Sequence, residues 1–488
     1  MTAPVSQENY GKKFDYDAQW AGPLNIERKR TDFPFIISFG IYLVLWIGIA
    51  IYAFNMGNLG MMINTGDVGI INDHDLTSSP HSNDRHFFFA IKYIIFRFIL
   101  LSIFLSLTYI ISLRWFARII IYTAIFFFCG LLIGLICLFS YLYATNTKNS
   151  YVYILPLIIL IIAFVVTVII FIAFRKKIKI ACAVIKESSK VVIFFPFSLL
   201  FPILPYILYA ITVIFCASIT IYLSVLPKNE YNETPSYIYF FHFINIFGFL
   251  WMTCFITAFS QMILSGSYAT WYWFMNKKYV PSYTIISFMA ITTRYHLGTL
   301  AFGSLIITIC NFIKIILYSI SSRLRGNCNP LAYLVFGWYR YLFGNIEQLL
   351  QYINCNAYIM SCIHGTKYLE SAKNAFNLLM RNIINVLVIN KVTEAILVLG
   401  QFIIITISAL ATYGYCHYLG IPDTIQFTAI LLIVLSTLAI TYSFFMVLRI
   451  AINTVFLCVL EDFERNDGTT DRPYFMSIEL KTLLLQNS

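Results

Sequence analysis

An all-α, polytopic membrane fold with about ten transmembrane helices is predicted by three observations. First, 60% of the 488 residues are hydrophobic and only 11% are charged, against about 25% charged in soluble domains. Second, the apolar residues gather in runs long enough to cross a bilayer, which takes about 20 residues as a helix. Third, lysine and arginine collect in alternate connecting loops, as the positive-inside rule requires. The formal net charge of +11 is therefore read as basic loops against anionic lipid, not as a nucleic-acid surface.

Residues 1–33 form a polar tail ending in Arg28-Lys29-Arg30, with no cleavable leader expected. A transmembrane domain is predicted over 34–460, and a cytoplasmic tail over 461–488. Span 1 covers 34–56, and an acidic loop with Asp67, Asp73, Asp75 and Asp84 follows. Spans 2 and 3 cover 88–112 and 118–143, with a short turn marked by Arg114 and Arg118. Span 4, 152–174, ends in Arg175-Lys176-Lys177-Ile178-Lys179. Span 5, 193–226, holds Pro196, Pro202 and Pro205. Proline removes a backbone donor, so this span reads either as a simple kink or as a broken helix along a transport path.

Span 6 covers 237–264, and the aromatic, basic stretch from Gly266 to Lys278 reads as membrane interface. Span 7 covers 296–320, and span 8, 331–364, is the wettest, with Arg340 and Glu347 inside it. Residues 366–388 are amphipathic and basic and are placed on the membrane surface. Span 9 covers 391–416, and span 10 runs from Thr424 as a helix toward Leu460.

A cytoplasmic N-terminus puts Arg114, Arg118, the 175–190 cluster, Lys277, Lys278, the 367–391 basic residues and the C-terminal tail on the inside. Arg323 and Arg325 then fall outside, against the rule. Asn232-Glu233-Thr234 is a sequon in an outside loop, which makes Asn232 a glycosylation candidate.

No catalytic constellation emerges, so no enzyme is predicted. The histidines are scattered, the eleven cysteines lie mostly inside apolar runs, and no metal or cofactor motif is present. Gly298 and Gly303 read as close helix-packing positions. Glu394 has Lys391 on the same helical face and reads as an ion pair. Glu347 has only Arg340 near it in sequence and is the pathway carboxylate candidate. Ring faces hold a cation that cannot donate a hydrogen bond. The near-midspan set Trp46, Tyr206, Tyr209, His242 and Trp251 is the candidate aromatic cage.

The last third carries four polar runs: Tyr295–Gly303; Asn356–Ile359 with Asn374–Asn382; Lys391–Glu394; and Leu460–Gly468 with Arg472–Ser477. In this order they resemble the choline transporter-like family of the solute carriers, fungal relatives included. Asn390 stands where those proteins usually have an acid, and Glu394 replaces an aspartate. The resemblance implies ten spans, cytoplasmic termini, a bilayer setting, most often the plasma membrane, and transport of choline or a related small organic cation such as ethanolamine. The alternative is a non-transporting scaffold acting through its cytoplasmic face. A membrane-embedded head-group enzyme is weaker still, for want of paired acids. The charged tail is expected to be ordered, and to gate the cytoplasmic end of a pathway through Arg381, Glu461, Asp462, Arg465, Asp467 and Arg472.

Overall fold

The computed structural model describes residues 13–16, 20, 22–57, 82–145, 151–226, 235–327 and 330–486. Asn232 and Cys328 lie outside them. Among the described residues the ordered elements are helices: α1 (Phe33–Met56), α2 (Ser82–Thr145), α3 (Tyr151–Phe194), α4 (Ile203–Ser224), α5 (Ser236–Trp273), α6 (Thr284–Ile291), α7 (Leu297–Asn327), α8 (Pro330–His364), α9 (Tyr368–Arg381), α10 (Ile383–Tyr418), α11 (Asp423–Arg465) and α12 (Ile478–Leu485). A π-helical turn, Thr292–His296, joins α6 to α7. Eight of the described helical segments are long and apolar enough to cross a membrane.

Several boundaries differ from the sequence reading. The turn expected between spans 2 and 3 is absent, because α2 runs unbroken for 64 residues. Arg114 and Arg118 mark charge, and charge alone does not stop a helix. No proline occurs in α2 and its first glycine is Gly130, so nothing there removes a backbone bond or loosens a turn. At a rise of about 1.5 Å per residue, α2 is roughly 96 Å long. Span 4 does not end at the basic cluster either; α3 carries it as helix to Phe194, past a buried stretch from Ile180 to Ile185.

The prolines of span 5 sit at its start and do not break its middle. Pro196 opens a 3-10 turn, Pro202 is the N-cap of α4, and Pro205 lies in the first turn. Proline costs least there, where the missing N–H has no intrahelical acceptor anyway. The stretch after Gly266 begins as helix: α5 continues to Trp273, and every residue from Met262 to Trp273 is buried by protein. Gly266 itself faces the Phe288 ring so closely that a Cβ would overlap it. Span 8 forms a helix, α8, but is absent from the eight apolar segments. The expected amphipathic segment appears as α9.

The chain separates into two compact units. One contains residues 1–16, 86–196 and 379–488, that is, most of α2, with α3, α10, α11 and α12. Its core joins α10 to α11, and both pack on α3. The other contains 17–85 and 197–378, with α1 and α4 through α8 and most of α9. There α5 is the hub, packing on α4, α7 and α8.

Polar side chains tie helices inside each unit. In the first, Ser102 of α2 meets Ser408 of α10 at 3.3 Å and Thr437 of α11 at 2.7 Å. Tyr109 donates to the Ile396 carbonyl at 2.7 Å, and Gly400 leaves room for its ring. In the second unit, the fully buried Asn245 of α5 accepts from Trp46 Nε1 at 2.8 Å. Its amide nitrogen donates to the Cys216 carbonyl and Thr220 Oγ1, both at 3.0 Å, so one side chain ties α1, α4 and α5. Buried polar groups satisfied in this way suit a setting without water.

Candidate functional site

Three polar or aromatic assemblies stand out, one in the first unit and two in the second. In the first unit, the last turns of α11 carry Glu461, Asp462, Glu464 and Arg465. Arg381, at the end of α9, forks onto Glu464: Nε donates to Oε1 and Nη2 to Oε2, each at 2.8 Å. Both side chains are below 10% exposed, which makes this a buried bidentate pair. Glu461 is fully buried and accepts from Arg465 Nε at 2.6 Å. The equally buried Asp462 accepts from Asn466 Nδ2 at 2.7 Å and from the backbone N–H groups of Phe475 and Met476 at 2.9 and 3.1 Å.

Those bonds fold the tail back on α11. Tyr474 stacks on Phe463 with centroids 6.1 Å apart, which anchors the Pro473–Phe475 stretch. Asp467 is a turn residue: its Oδ1 accepts from Thr469 N and Oγ1 at 3.0 and 2.7 Å. These bonds, the Thr469 hydroxyl first, hold its carboxyl below the usual aspartate value. Arg472 lies over the Tyr16 ring at 4.5 Å, and Arg465 over Phe14 at 5.2 Å. The described part of the tail, to Gln486, is ordered, and the basic 367–391 segment supplies a partner for one of its acids, Arg381 for Glu464.

The second assembly lies in the other unit and pins residues 22–32, which the sequence reads as part of a polar tail. Arg28 donates to the Pro23 and Cys362 carbonyls, both at 2.7 Å, and bonds His296 Nε2 at 2.8 Å. Arginine has no acceptor, so Nε2 accepts and the ring proton sits on Nδ1, which faces Thr31 Oγ1 at 3.2 Å. Thr31 in turn donates to the Tyr295 carbonyl at 3.1 Å, a group at the π-helical turn. Burial holds the Arg28 guanidinium below the ordinary arginine value.

Asp32 caps this strap with φ +52°, the single non-glycine positive φ among the described residues. Such a conformation costs about 1–3 kcal/mol. Its Oδ2 accepts from Thr299 Oγ1 and from the Tyr368 N–H, both at 2.8 Å, which holds it in place. Gly298 makes the approach feasible: a Cβ there would overlap the backbone oxygens of Thr31 and Asp32. Gly303 plays the same part for Tyr358 and Asn354. Both glycines are the close-packing positions the sequence suggests.

The third assembly is aromatic. Trp251 is buried, with Nε1 donating to the Ala301 carbonyl and Ser304 Oγ at 3.3 and 3.2 Å. Its ring meets Phe39 at 5.0 Å, Tyr42 at 5.2 Å and Phe247 at 6.0 Å. Trp46 is in a neighbouring cluster with Phe215, at 4.9 Å; Tyr42, Leu43 and Met252 pack against both clusters. Tyr206 and Tyr209 pair with each other on α4 at 6.3 Å. Tyr209 also meets Thr257 Oγ1 at 2.8 Å, while Tyr206 is exposed. His242 is half-buried on α5. The structure thus brings Trp46 and Trp251 into adjoining clusters and sets the two tyrosines against each other on α4.

Glu347 does not rely on Arg340. Its partner is Lys314 of α7 at 2.7 Å, with Gln351 donating at 3.0 Å. The Lys391–Glu394 pair forms at 3.1 Å as expected, but exposed. Phe39, Tyr42 and Phe247 were missing from the sequence reading. Their signal was present: 39, 42 and 46 share a helical face, as do 247 and 251. Among the described residues no cluster of His, Cys, Asp or Glu is arranged to hold a metal.

These features define an all-α, multi-pass integral membrane protein whose buried polar groups tie helices within each unit. The family described as plasma-membrane choline transporter matches residues 158–464, and the chain belongs to it. It is 35% identical over 378 residues to a choline transporter-like protein 2 of Bos taurus, covering 67% of this chain and 54% of that one. The Homo sapiens protein of that name is 34% identical over the same shares. A choline transporter-like 2 from Anopheles gambiae is 40% identical over 255 residues, 52% of this chain and 32% of its own. The chain spans about half the length of the first two of these relatives.

Proposed function

We propose that this protein moves choline, or a related small organic cation such as ethanolamine, across a membrane by alternating access. The observation that carries this reading is membership of the choline transporter family over residues 158–464. Trp251, with Phe39, Tyr42 and Phe247 around it, supplies the ring faces a quaternary ammonium needs. A cation would reach the indole face by displacing one of those rings, so binding and rearrangement of α1 against α5 are coupled. Trp46, Tyr206, Tyr209 and His242 are the further cage positions, and Glu347 is a pathway carboxylate whose charge Lys314 balances.

Cytoplasmic termini, residence in the plasma membrane and glycosylation at Asn232 complete the reading. So does a cytoplasmic gate formed by Arg381, Glu461, Asp462, Arg465, Asp467 and Arg472. The protein acts as a carrier, not an enzyme.

Choline uptake into proteoliposomes tests it, and no uptake above protein-free vesicles overturns it. In purified protein, Trp251→Ala is expected to weaken choline affinity about 5- to 30-fold, the equivalent of about 1–2 kcal/mol. Trp251→Phe should lose less, because it keeps a ring. Equal losses would assign Trp251 to packing.

A further inference from the structure

One cavity, of about 480 Å³, lies in the first unit beside the folded-back tail. It is walled by α3, the junction of α9 with α10, the end of α11 and α12. Its lining divides by chemistry. Ile180, Leu460, Phe463 and Leu484 form an apolar side, while Lys177 and Asn385 are among the polar groups. Arg381 also lines it, but its charge is engaged by Glu464.

The polar end presents a lysine and the start of a helix. Among the described residues, no carboxylate lies within ion-pair distance of Lys177. The first three residues of α10, Ile383, Ile384 and Asn385, all line the cavity. The N–H groups of a first helical turn have no intrahelical acceptor. Here the Asn382 side chain does not cap them and no acid lies in the first turn, so these donors remain open to an anion. Asn385 adds a separate demand: its side-chain oxygen is buried without a partner, so the cavity wants a donor as well as an anion.

A phosphate group answers the lysine and the helix end. A hydroxyl next to it answers Asn385. An acyl chain answers the apolar wall. Arg175, Lys176 and Lys179, exposed on the same stretch of α3, would concentrate anionic lipid nearby. We propose that this cavity binds the phosphate of an anionic, hydroxyl-bearing phospholipid such as phosphatidylinositol, and that the lipid joins the tail helix α12 to the body of its unit. The site is independent of the transport reading.

The test uses full-length protein in nanodiscs of phosphatidylcholine with graded phosphatidylinositol, read by a labelled phosphatidylinositol binding isotherm. Saturable binding is expected, weakened about tenfold by Lys177→Gln, the loss of one charge-assisted contact. Lys177→Arg should restore it, and Lys176→Gln, on the exposed neighbour, should leave it unchanged. Equal weakening by Lys177→Gln and Lys176→Gln would reduce the effect to general surface charge and overturn the site.

Inorganic phosphate is the second arm. Lys177-dependent thermal stabilisation by phosphate in pure phosphatidylcholine discs, without phosphatidylinositol binding, would keep the site and name free phosphate as its ligand. Should Lys177→Gln fail to purify, Leu484→Trp fills the apolar side without changing charge. Undiminished phosphatidylinositol binding in that variant would also overturn the proposal.

Discussion

Each unit buries an arginine, and they do it differently. Arg381 in the first unit is neutralised by a carboxylate, forked onto Glu464 in a pair almost closed to solvent. Arg28 in the second bonds two carbonyls and an imidazole nitrogen, and among the described residues no carboxylate lies within ion-pair distance of it. The first arrangement balances charge locally; the second spreads one charge over dipoles and depends on exact placement of backbone. The lesson is that a charged pair is sensitive to losing one partner, whereas a dipole-held guanidinium is sensitive to anything that shifts the chain around it.

The largest effect follows from the paired arginine. Arg381→Met or Glu464→Leu alone should destabilise by about 3–5 kcal/mol, since each leaves an uncompensated buried charge. The double variant should recover most of that loss, because an apolar pair of similar volume replaces the ion pair. Thermal unfolding midpoints of the three purified proteins in detergent measure the cycle. Additive losses in the double variant would mean that the two residues act separately.

The dipole-held arginine is best broken through the backbone. Gly298→Ala puts a methyl group where the Thr31 and Asp32 carbonyl oxygens stand. These are backbone atoms, so the strap itself must move, at an expected cost of about 1–3 kcal/mol. Limited proteolysis should then cut within residues 22–32 faster than in the parent. An unchanged cleavage rate and midpoint would show that the strap bears no strain from this contact.

The smallest effect concerns α12. Glu479 pairs with Lys186 at 2.6 Å, and that hydrogen bond, more than any other cause, holds its carboxyl below the usual glutamate value. A depressed folded value stabilises above the unfolded one, near 4.3, and the gain is lost as pH falls through the folded value. The pair is over a third exposed on both sides, so solvent screening limits it to about 0.5 kcal/mol or less. A pH titration of the midpoint down to the acid limb should steepen there, and Glu479→Gln should flatten that part of the curve. No difference between the two curves would remove the pair from the docking of α12.

The sequence by itself determined the class of fold, because hydropathy is a local quantity: 60% apolar residues in long runs leave helices across a bilayer as the economical solution. It also exposed the motifs of the choline transporter-like family and the short-range pair Lys391–Glu394, whose partners are one helical turn apart. It pointed to Gly298 and Gly303 without saying what they approach. What it could not supply were partners distant along the chain. Arg381 finds Glu464 across 83 positions, Lys314 finds Glu347 across 33, and Arg28 finds His296 across 268. Nor could it show that α2 passes through Arg114 and Arg118 without turning, since a basic residue is read as a loop until packing shows the helix continuing. Those choices were made by tertiary structure, where burial removes water as an alternative partner and each polar group must bond whatever side chain or carbonyl the fold brings to it.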